Sequence, residues 1–364
     1  MSTRCGLIGL PNVGKSTIFN ALTACKAEVA GYPFTTINPN AGIVPVPDPR
    51  LENLGQLLQP PKLTPATIEF VDIAGLIQGA SQGEGLGNRF LAHIRDVDLL
   101  VHVVRGFEAP DIPHIAPNLD PVRDIEIIDT ELLLADLEII RRHIIRLEKA
   151  SKSGDKKIPV QLQLLQRLET FLNQSRWAAD FPSGQADQAL LAEVPLLTRK
   201  PYLLVANISE AEWRHRYYLP ALEKLALERR VPLVPIMGDL EAELADLPPE
   251  ERQEFLADAG MPESGLTRLI QASFRLLGLI TFYTIVGPEV RAWTVPAGTP
   301  AVHGAGKIHS DMAKGFIKAE VMSCADLVRL GSAAKVKEAG LMHAEGRDYV
   351  IQDGEIVLFR FQAR

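Results

Sequence analysis

Gly9, Gly14, Lys15 and Ser16 fall in the spacing G-x-x-x-x-G-K-S within CGLIGLPNVGKSTIFNALTA, residues 5–24. Glycines there let the backbone curl until several N–H groups face one anion, and a following helix points its positive end at the same place. That is chemistry for a polyphosphate. The segment Asn12, Val13, Gly14, Lys15, Ser16 and Thr17 would line the cradle, Lys15 would reach the outer phosphates and act on the transferred one, and the Ser16 hydroxyl would ligate Mg2+. Further on, Asp72-Ile73-Ala74-Gly75 reads as DxxG at the end of a strand. Asp72 would hold Mg2+ through water, and the Gly75 N–H would meet the terminal phosphate. Between the two motifs, GYPFTTINPN supplies Thr35 and Thr36, one of which should complete the Mg2+ shell. Together these elements imply a switch-type nucleoside triphosphatase.

A guanine-specific protein of this kind would carry Asn-Lys-x-Asp where this chain has Asn207, Ile208, Ser209 and Glu210. Guanine presents N1–H and N2–H donors that a fixed Asp accepts together, whereas adenine has an acceptor at N1. The missing Lys and the longer acid should remove about 2 to 3 kcal/mol of guanine preference. Asn207 can still brace the loop, and backbone groups at Ile208 and Ser209 can read an adenine amine. Glu210 is carried as a base-site residue of open role. VPIMGDLEAEL, residues 234–244, likewise lacks the Ser-Ala-Lys that would complete a guanine pocket. Hydrolysis needs a residue to position water, and Leu76, directly after DxxG, cannot hydrogen-bond.

These residues need a scaffold. Leu7 and Ile8 lead into Gly9, while Ile18, Phe19 and Leu22 recur at helical spacing, so strand, loop and helix are expected in that order. Ile68, Phe70 and Val71 form a strand ending on Asp72; DLLVHVV (98–104), PYLLVANISE (201–210) and VPLVPI (231–236) continue a mostly parallel sheet. Strand ends in such sheets line the ligand crevice. Leu133, Leu137, Ile140, Ile144 and Leu147 repeat at steps of four and three, and Leu165, Leu168 and Leu172 begin a second stripe beyond KSGDKK. That pattern is an antiparallel helical hairpin inserted into the α/β fold. From about residue 281, the runs TFYTIV, VRAWTV, FIKAEVM and YVIQDGEIVLFRF replace the α/β rhythm with β-like segments.

Composition sets the outer bounds. The 364 residues are 46% hydrophobic, enough for at least two cores. With no apolar run of about 18 residues and no signal-like N-terminus, a soluble cytoplasmic protein with no membrane partner is expected. Cys5, Cys25 and Cys324 form no CxxC pair, so neither a disulfide framework nor a zinc site is expected. A net charge of −7 argues against a uniformly basic nucleic-acid binder, and DNA is not an expected partner. The hairpin nevertheless carries Arg141, Arg142, His143, Arg146, Lys149, Lys152, Lys156 and Lys157, which suit either a solvated face or an RNA contact. Lys307, His309, Lys314 and Lys318 suit a contact with RNA or a protein, but any one of them reads first as ordinary surface charge.

GLPNVGKST (9–17), FTTINPNAGIVPVPDPRL (34–51), FVDIAGLIQGASQGEGLGNRFL (70–91) and VRAWTVPAGTPAVHGAGKIHSDMAKGFIKAEV (290–321) together resemble the Obg-like ATPases of the YchF group, within the translation-factor class of P-loop GTPases. The resemblance covers nearly the whole chain. It implies an OBG-type G domain over 1–119 and 198–280, a helical hairpin over 120–197, and a β-grasp-like TGS domain over 281–364. It also implies that Thr36 is the second Mg2+ ligand, that Asn-x-x-Glu goes with ATP preference, and that His114, in EAPDIPHIAPN, positions the attacking water. Gln78, Gln82, Asn88 and Arg89 are the weaker alternatives. Ribosome association tips the basic hairpin toward ribosomal RNA, and a monomer is expected. The expected function is a slow, Mg2+-dependent, ATP-hydrolysing switch on the translation machinery, with GTP also a possible ligand. The alternatives are a ribosome-associated GTPase and a nucleotide-tuned binding protein in which hydrolysis is incidental.

Overall fold

The computed structural model describes residues 3–24, 40–73, 91, 93–150, 157–245, 247–258 and 260–362. The chain runs β1 (Arg4–Ile8), α1 (Lys15–Ala24), β2 (Ala41–Pro45), α2 (Pro49–Leu58), β3 (Lys62–Thr64), β4 (Thr67–Asp72) and β5 (Leu99–Gly106). Helices α3 (Pro121–Ala150), α4 (Lys157–Leu172) and α5 (Gln185–Ala192) interrupt the α/β order. It resumes with β6 (Tyr202–Ile208), α6 (Glu210–His215), α7 (Leu219–Arg229), β7 (Leu233–Ile236), α8 (Gly238–Ala245), α9 (Pro249–Asp258) and α10 (Gly265–Leu276). The remainder is β8 (Leu279–Val286), β9 (Glu289–Pro296), α11 (Ala301–Ile308), α12 (Ser310–Lys314), β10 (Phe316–Ser323), α13 (Cys324–Leu330), α14 (Ala333–Glu338), β11 (His343–Glu345) and β12 (Glu355–Phe361).

Two compact units emerge, the first comprising Met1–Leu22, Asn38–Gly42 and Phe70–Leu266. Its sheet has the order β2-β4-β1-β5-β6-β7. β1 with β5, β5 with β6, and β6 with β7 all pair parallel. Every residue of β5 and β6 is buried, as expected of strands covered on both faces. Because these strands run the same way, Gly9, Gly106, Ile208 and Met237 come to one edge, where the site is built.

The hairpin stripes form one core: Leu133, Leu137, Ile140 and Ile144 of α3 pack with Leu165, Leu168 and Leu172 of α4, and Leu147 lies against them. Asp136, fully buried, ties α3 to the segment that leads into β6. Its carboxylate accepts from the Leu197 N–H (2.7 Å), the Thr198 N–H (2.8 Å) and the Thr198 hydroxyl (2.7 Å). Burial pushes its carboxyl up to about 6, against the pull of those donors.

Residues Thr23–Ile37, Ile43–Glu69 and Thr267–Arg364 form the second unit. Its sheet has the order β11-β10-β12-β8-β9-β3. α11 contributes Ala301 and Ala305 to a core with Phe282, Val295, Phe316 and Val357. Two features depart from the β-only pattern read from the sequence. Four short helices, α11 to α14, lie among the strands, and YVIQDGEIVLFRF becomes strand only from Glu355, after the left-handed turn at Gly354 (φ 84°). A third feature has no periodic signature: β3 pairs parallel with β9, Lys62 opposite Glu289, so residues 43–69 cluster with the C-terminal segment. α2 is set by its own N-cap, where Asp48 accepts from the Arg50 N–H at 3.0 Å and Pro49 fills the first turn. The same carboxylate accepts from the Tyr283 hydroxyl, and Arg50 pairs with Asp353 at 2.7 Å.

Candidate functional site

β1 ends and α1 begins across a loop whose backbone only certain residues can follow. Gly9 and Gly14 have φ of 148° and 90°, and Asn12, a residue type tolerant of left-handed backbone, has φ of 62°. Space forbids side chains as well: a Cβ on Gly9 would lie 2.3 Å from the Val103 carbonyl oxygen, and one on Gly14 would lie 2.1 Å from Asn207 Nδ2. Lys15 starts α1 and is only 7% exposed. Its ammonium donates to the carbonyls of Gly9 (3.1 Å) and Leu10 (2.7 Å), so it is folded back over the loop. Burial lowers its pKa to about 8, with Asp72 pulling the other way. Ser16 and Thr17 follow in the first turn of α1.

The Ser16 hydroxyl donates to Asp72 Oδ2 at 2.8 Å, bringing the two motifs together at one point. The other carboxylate oxygen, Oδ1, is buried without a hydrogen-bond partner among the described residues. A hydroxyl beside a half-satisfied carboxylate suits a hard divalent cation that takes oxygen ligands, so these residues fit Mg2+. Thr35, Thr36, Gly75, Gln78, Gln82, Asn88 and Arg89 lie outside the described residues.

At the other end of the edge, Asn207 is buried and clamps two loops. Its Nδ2 donates to the Val13 carbonyl at 3.0 Å, and its Oδ1 accepts from the Gly238 N–H at 3.1 Å. Ile208 closes β6 with its side chain buried. Ser209 is the N-cap of α6, its hydroxyl accepting from the Glu212 N–H at 3.2 Å, so that hydroxyl is already engaged. Glu210 pairs with Arg214 one turn along α6, and its side chain is 70% exposed.

Glu212, two residues further, is a site residue the sequence reading passed over. Its buried carboxylate accepts from the N–H groups of Tyr217, Tyr218 and Leu219, fixing the turn between α6 and α7. The Ser209-x-x-Glu212 spacing is that of a capping box, which calls for a different partner, the N-cap amide, and so gave no sign of this role. That turn walls a surface cleft with Phe107 and Glu108 opposite, and the Tyr218 hydroxyl donates to Glu108 at 2.9 Å.

His114 stands in the loop after β5, with both ring nitrogens engaged. Nδ1 lies 3.1 Å from the Ala116 carbonyl oxygen and 3.2 Å from its backbone nitrogen, and Nε2 lies 2.8 Å from Asp124 Oδ2. The P-loop holds this loop directly, because Asn12 Nδ2 donates to the Pro113 carbonyl at 3.1 Å.

Residues 4–146 match a family described as a 50S ribosome-binding GTPase, and residues 279–362 match the C-terminal family of YchF GTPases, described as a protein of unknown function. A relative from Haemophilus ducreyi, described as ribosome-binding ATPase YchF, is 46% identical over 99% of each chain. The chain belongs to the YchF family. The Bacillus subtilis protein of the same description is 45% identical over 99% of this chain and 100% of its own. The solved structure of the Schizosaccharomyces pombe YchF GTPase superposes with a TM-score of 0.90 at 33% identity, over 99% of this chain and 98% of that one. A GTP-binding protein from Pyrococcus horikoshii shares the fold, with a TM-score of 0.60 at 20% identity. The fold of this YchF-family protein is therefore the P-loop α/β fold with a C-terminal domain.

Lys15 supplies a prediction that needs no turnover. A triphosphate beside the ammonium restores its protonation, so the nucleotide-bound protein holds more protons than the free one at pH above about 8. Net proton uptake on ATP binding should therefore grow between pH 7 and 9, and affinity should fall over that range. Calorimetric titration in two buffers of different ionisation enthalpy measures it; constant uptake across the range would contradict the assignment.

Proposed function

We propose that this YchF-family protein is a Mg2+-dependent, ATP-hydrolysing switch that works on the ribosome in the cytoplasm. Its relatives are described as ribosome-binding ATPases, while the solved S. pombe structure is described as a GTPase, so the base must be decided on this chain's own residues. The observation that carries the reading is the fate of the fourth motif. Asn207 keeps the bracing role, yet the acid that should meet guanine is drawn to Arg214 in solvent, and Ile208 is buried where a Lys would reach along the base. Glu210 is thereby not held toward a guanine edge, and the Phe107 side of the cleft offers an aromatic wall usable by any purine. The backbone at Ile208 and Ser209 is the assigned reader of the adenine amine, and Glu210 serves to pair Arg214.

In the proposed cycle the amides from Asn12 to Thr17 bind the phosphates, Lys15 leaves the Gly9 and Leu10 carbonyls for the outer phosphates, and Ser16 with Asp72 and Thr36 would hold Mg2+. Mg2+ when bound supplies charge neutralisation across the outer phosphates. His114 is assigned to orient water, which requires its imidazole to leave Asp124. The exposed hairpin arginines are proposed to meet ribosomal RNA. Arg141 and Arg142 pair with Glu169 (2.8 Å) and Glu138 (3.4 Å), exposed pairs that cost little to exchange for phosphates. Lys152 and Lys156 lie outside the described residues.

Equilibrium titration with fluorescent ATP and GTP analogues tests the base. ATP should bind at least as tightly as GTP. Tenfold tighter GTP binding would show that guanine is read despite the withdrawn acid, and would sink this assignment.

A further inference from the structure

The loop that carries His114 is shaped by a residue to which none of the motifs points. Arg105, the penultimate residue of β5, is 3% exposed. Its Nε donates to the Phe107 carbonyl (2.9 Å), Nη2 to the Ala109 carbonyl (3.0 Å) and Nη1 to the Ile112 carbonyl (3.1 Å). The same guanidinium lies 4.8 Å from the centroid of the Phe107 ring. A planar fork with fixed donor directions that reaches three carbonyls of one short loop defines that loop's path more tightly than a flexible ammonium could. Pro113, the next residue after Ile112, is held by Asn12 of the P-loop, and His114 follows at once.

We propose that Arg105 is the positioning residue for the His114 loop. It acts by holding residues 107–112 so that the imidazole is delivered to one place relative to the P-loop. This rests on the assignment of His114 as the water-orienting group. The competing account is that Arg105 only folds the loop, as a buried arginine often does. The two differ in coupling. A positioning residue loses its effect once the residue it positions is gone, whereas a folding residue harms the enzyme regardless. Displacing a reacting group by about 1 Å costs on the order of 10²-fold in rate, which makes partial loosening measurable.

Arg105→Lys keeps the charge on a side chain one atom shorter but loses the fork, and Arg105→Gln keeps one donor group without the buried charge, so one serves where the other folds poorly. Each is measured with His114→Ala and the corresponding double variant, by thermal unfolding and by single-turnover ATP hydrolysis at saturating Mg-ATP in the full chain. The expected result is a folded Arg105 variant at least about tenfold slower than wild type, with the double variant no slower than His114→Ala alone. A folded Arg105 variant of wild-type rate, while His114→Ala is slow, overturns this inference and leaves the His114 reading standing. Multiplying effects in the double variant also overturn it, because Arg105 then acts through something other than His114. A wild-type rate in His114→Ala overturns the His114 reading itself, and this inference with it.

Discussion

Lys15→Ala is expected to hydrolyse ATP at least about 10²-fold more slowly than the wild-type chain while melting within a few degrees of it. The rate loss follows from chemistry that no neighbour can replace. Lys15 is the buried cation of the loop, and its ammonium rests on two backbone carbonyls, the kind of neutral partners it can exchange for phosphate oxygens. A charge-assisted bond to a phosphate is roughly twice as strong as the neutral ones it replaces, and it matters most as charge builds on the transferred group. Stability changes little because the buried charge of Lys15 is itself costly. Single-turnover hydrolysis at saturating nucleotide, with a melting curve beside it, checks both halves. A rate within tenfold of wild type would show that the transferred phosphoryl group lies elsewhere.

Asn207→Ala should weaken ATP and GTP together, by about tenfold or more each, and cost on the order of 3 kcal/mol of stability. The side chain is buried, and its two hydrogen bonds go to Val13 and Gly238 rather than outward. Alanine leaves the Val13 carbonyl and the Gly238 N–H unpaired in the interior, each at about 1–3 kcal/mol. It also frees the P-loop from the start of α8, so the phosphate cradle loses its brace whichever base is attached. Parallel titrations with the two fluorescent nucleotides, and urea unfolding, measure this. A loss confined to one nucleotide would mean that Asn207 reads the base, and bracing would no longer describe it.

The parts of the site legible in the sequence are those in which the backbone dictates composition. Gly9 and Gly14 must be glycine because a Cβ has nowhere to go, and Lys15, Ser16 and Asp72 are recognisable from spacing that follows from one strand, one turn and one helix. The residues that escaped notice bond to backbone groups. Arg105 serves three carbonyls and Glu212 serves three amides, partners present at every position of every sequence, so residue type alone carries no sign of them. Glu210 shows a subtler limit. It holds the acid position of the fourth motif with its role open, and an arginine one helical turn later, Arg214, is the partner it takes here. The fold followed the same division. Buried parallel strands and long amphipathic helices were readable from periodicity, whereas α11 to α14 are too short to establish a period.

The excursion between β2 and β4 has a consequence for synthesis. β3 finds its ladder partner in β9, and Thr64 donates to Glu289, a residue 225 positions further along the chain. At about 5–20 residues per second, that partner emerges roughly 11 to 45 s later. Until then a segment lying between the phosphate loop and the Asp72 strand has no sheet to join, so β2 and β4, which flank it, carry an unfinished stretch of chain while the rest of the first unit is being made. A nascent chain that stops before β9 would hold both halves of the phosphate site in sequence and leave the stretch joining them unpaired. The last quarter of the chain therefore completes a piece laid down in the first.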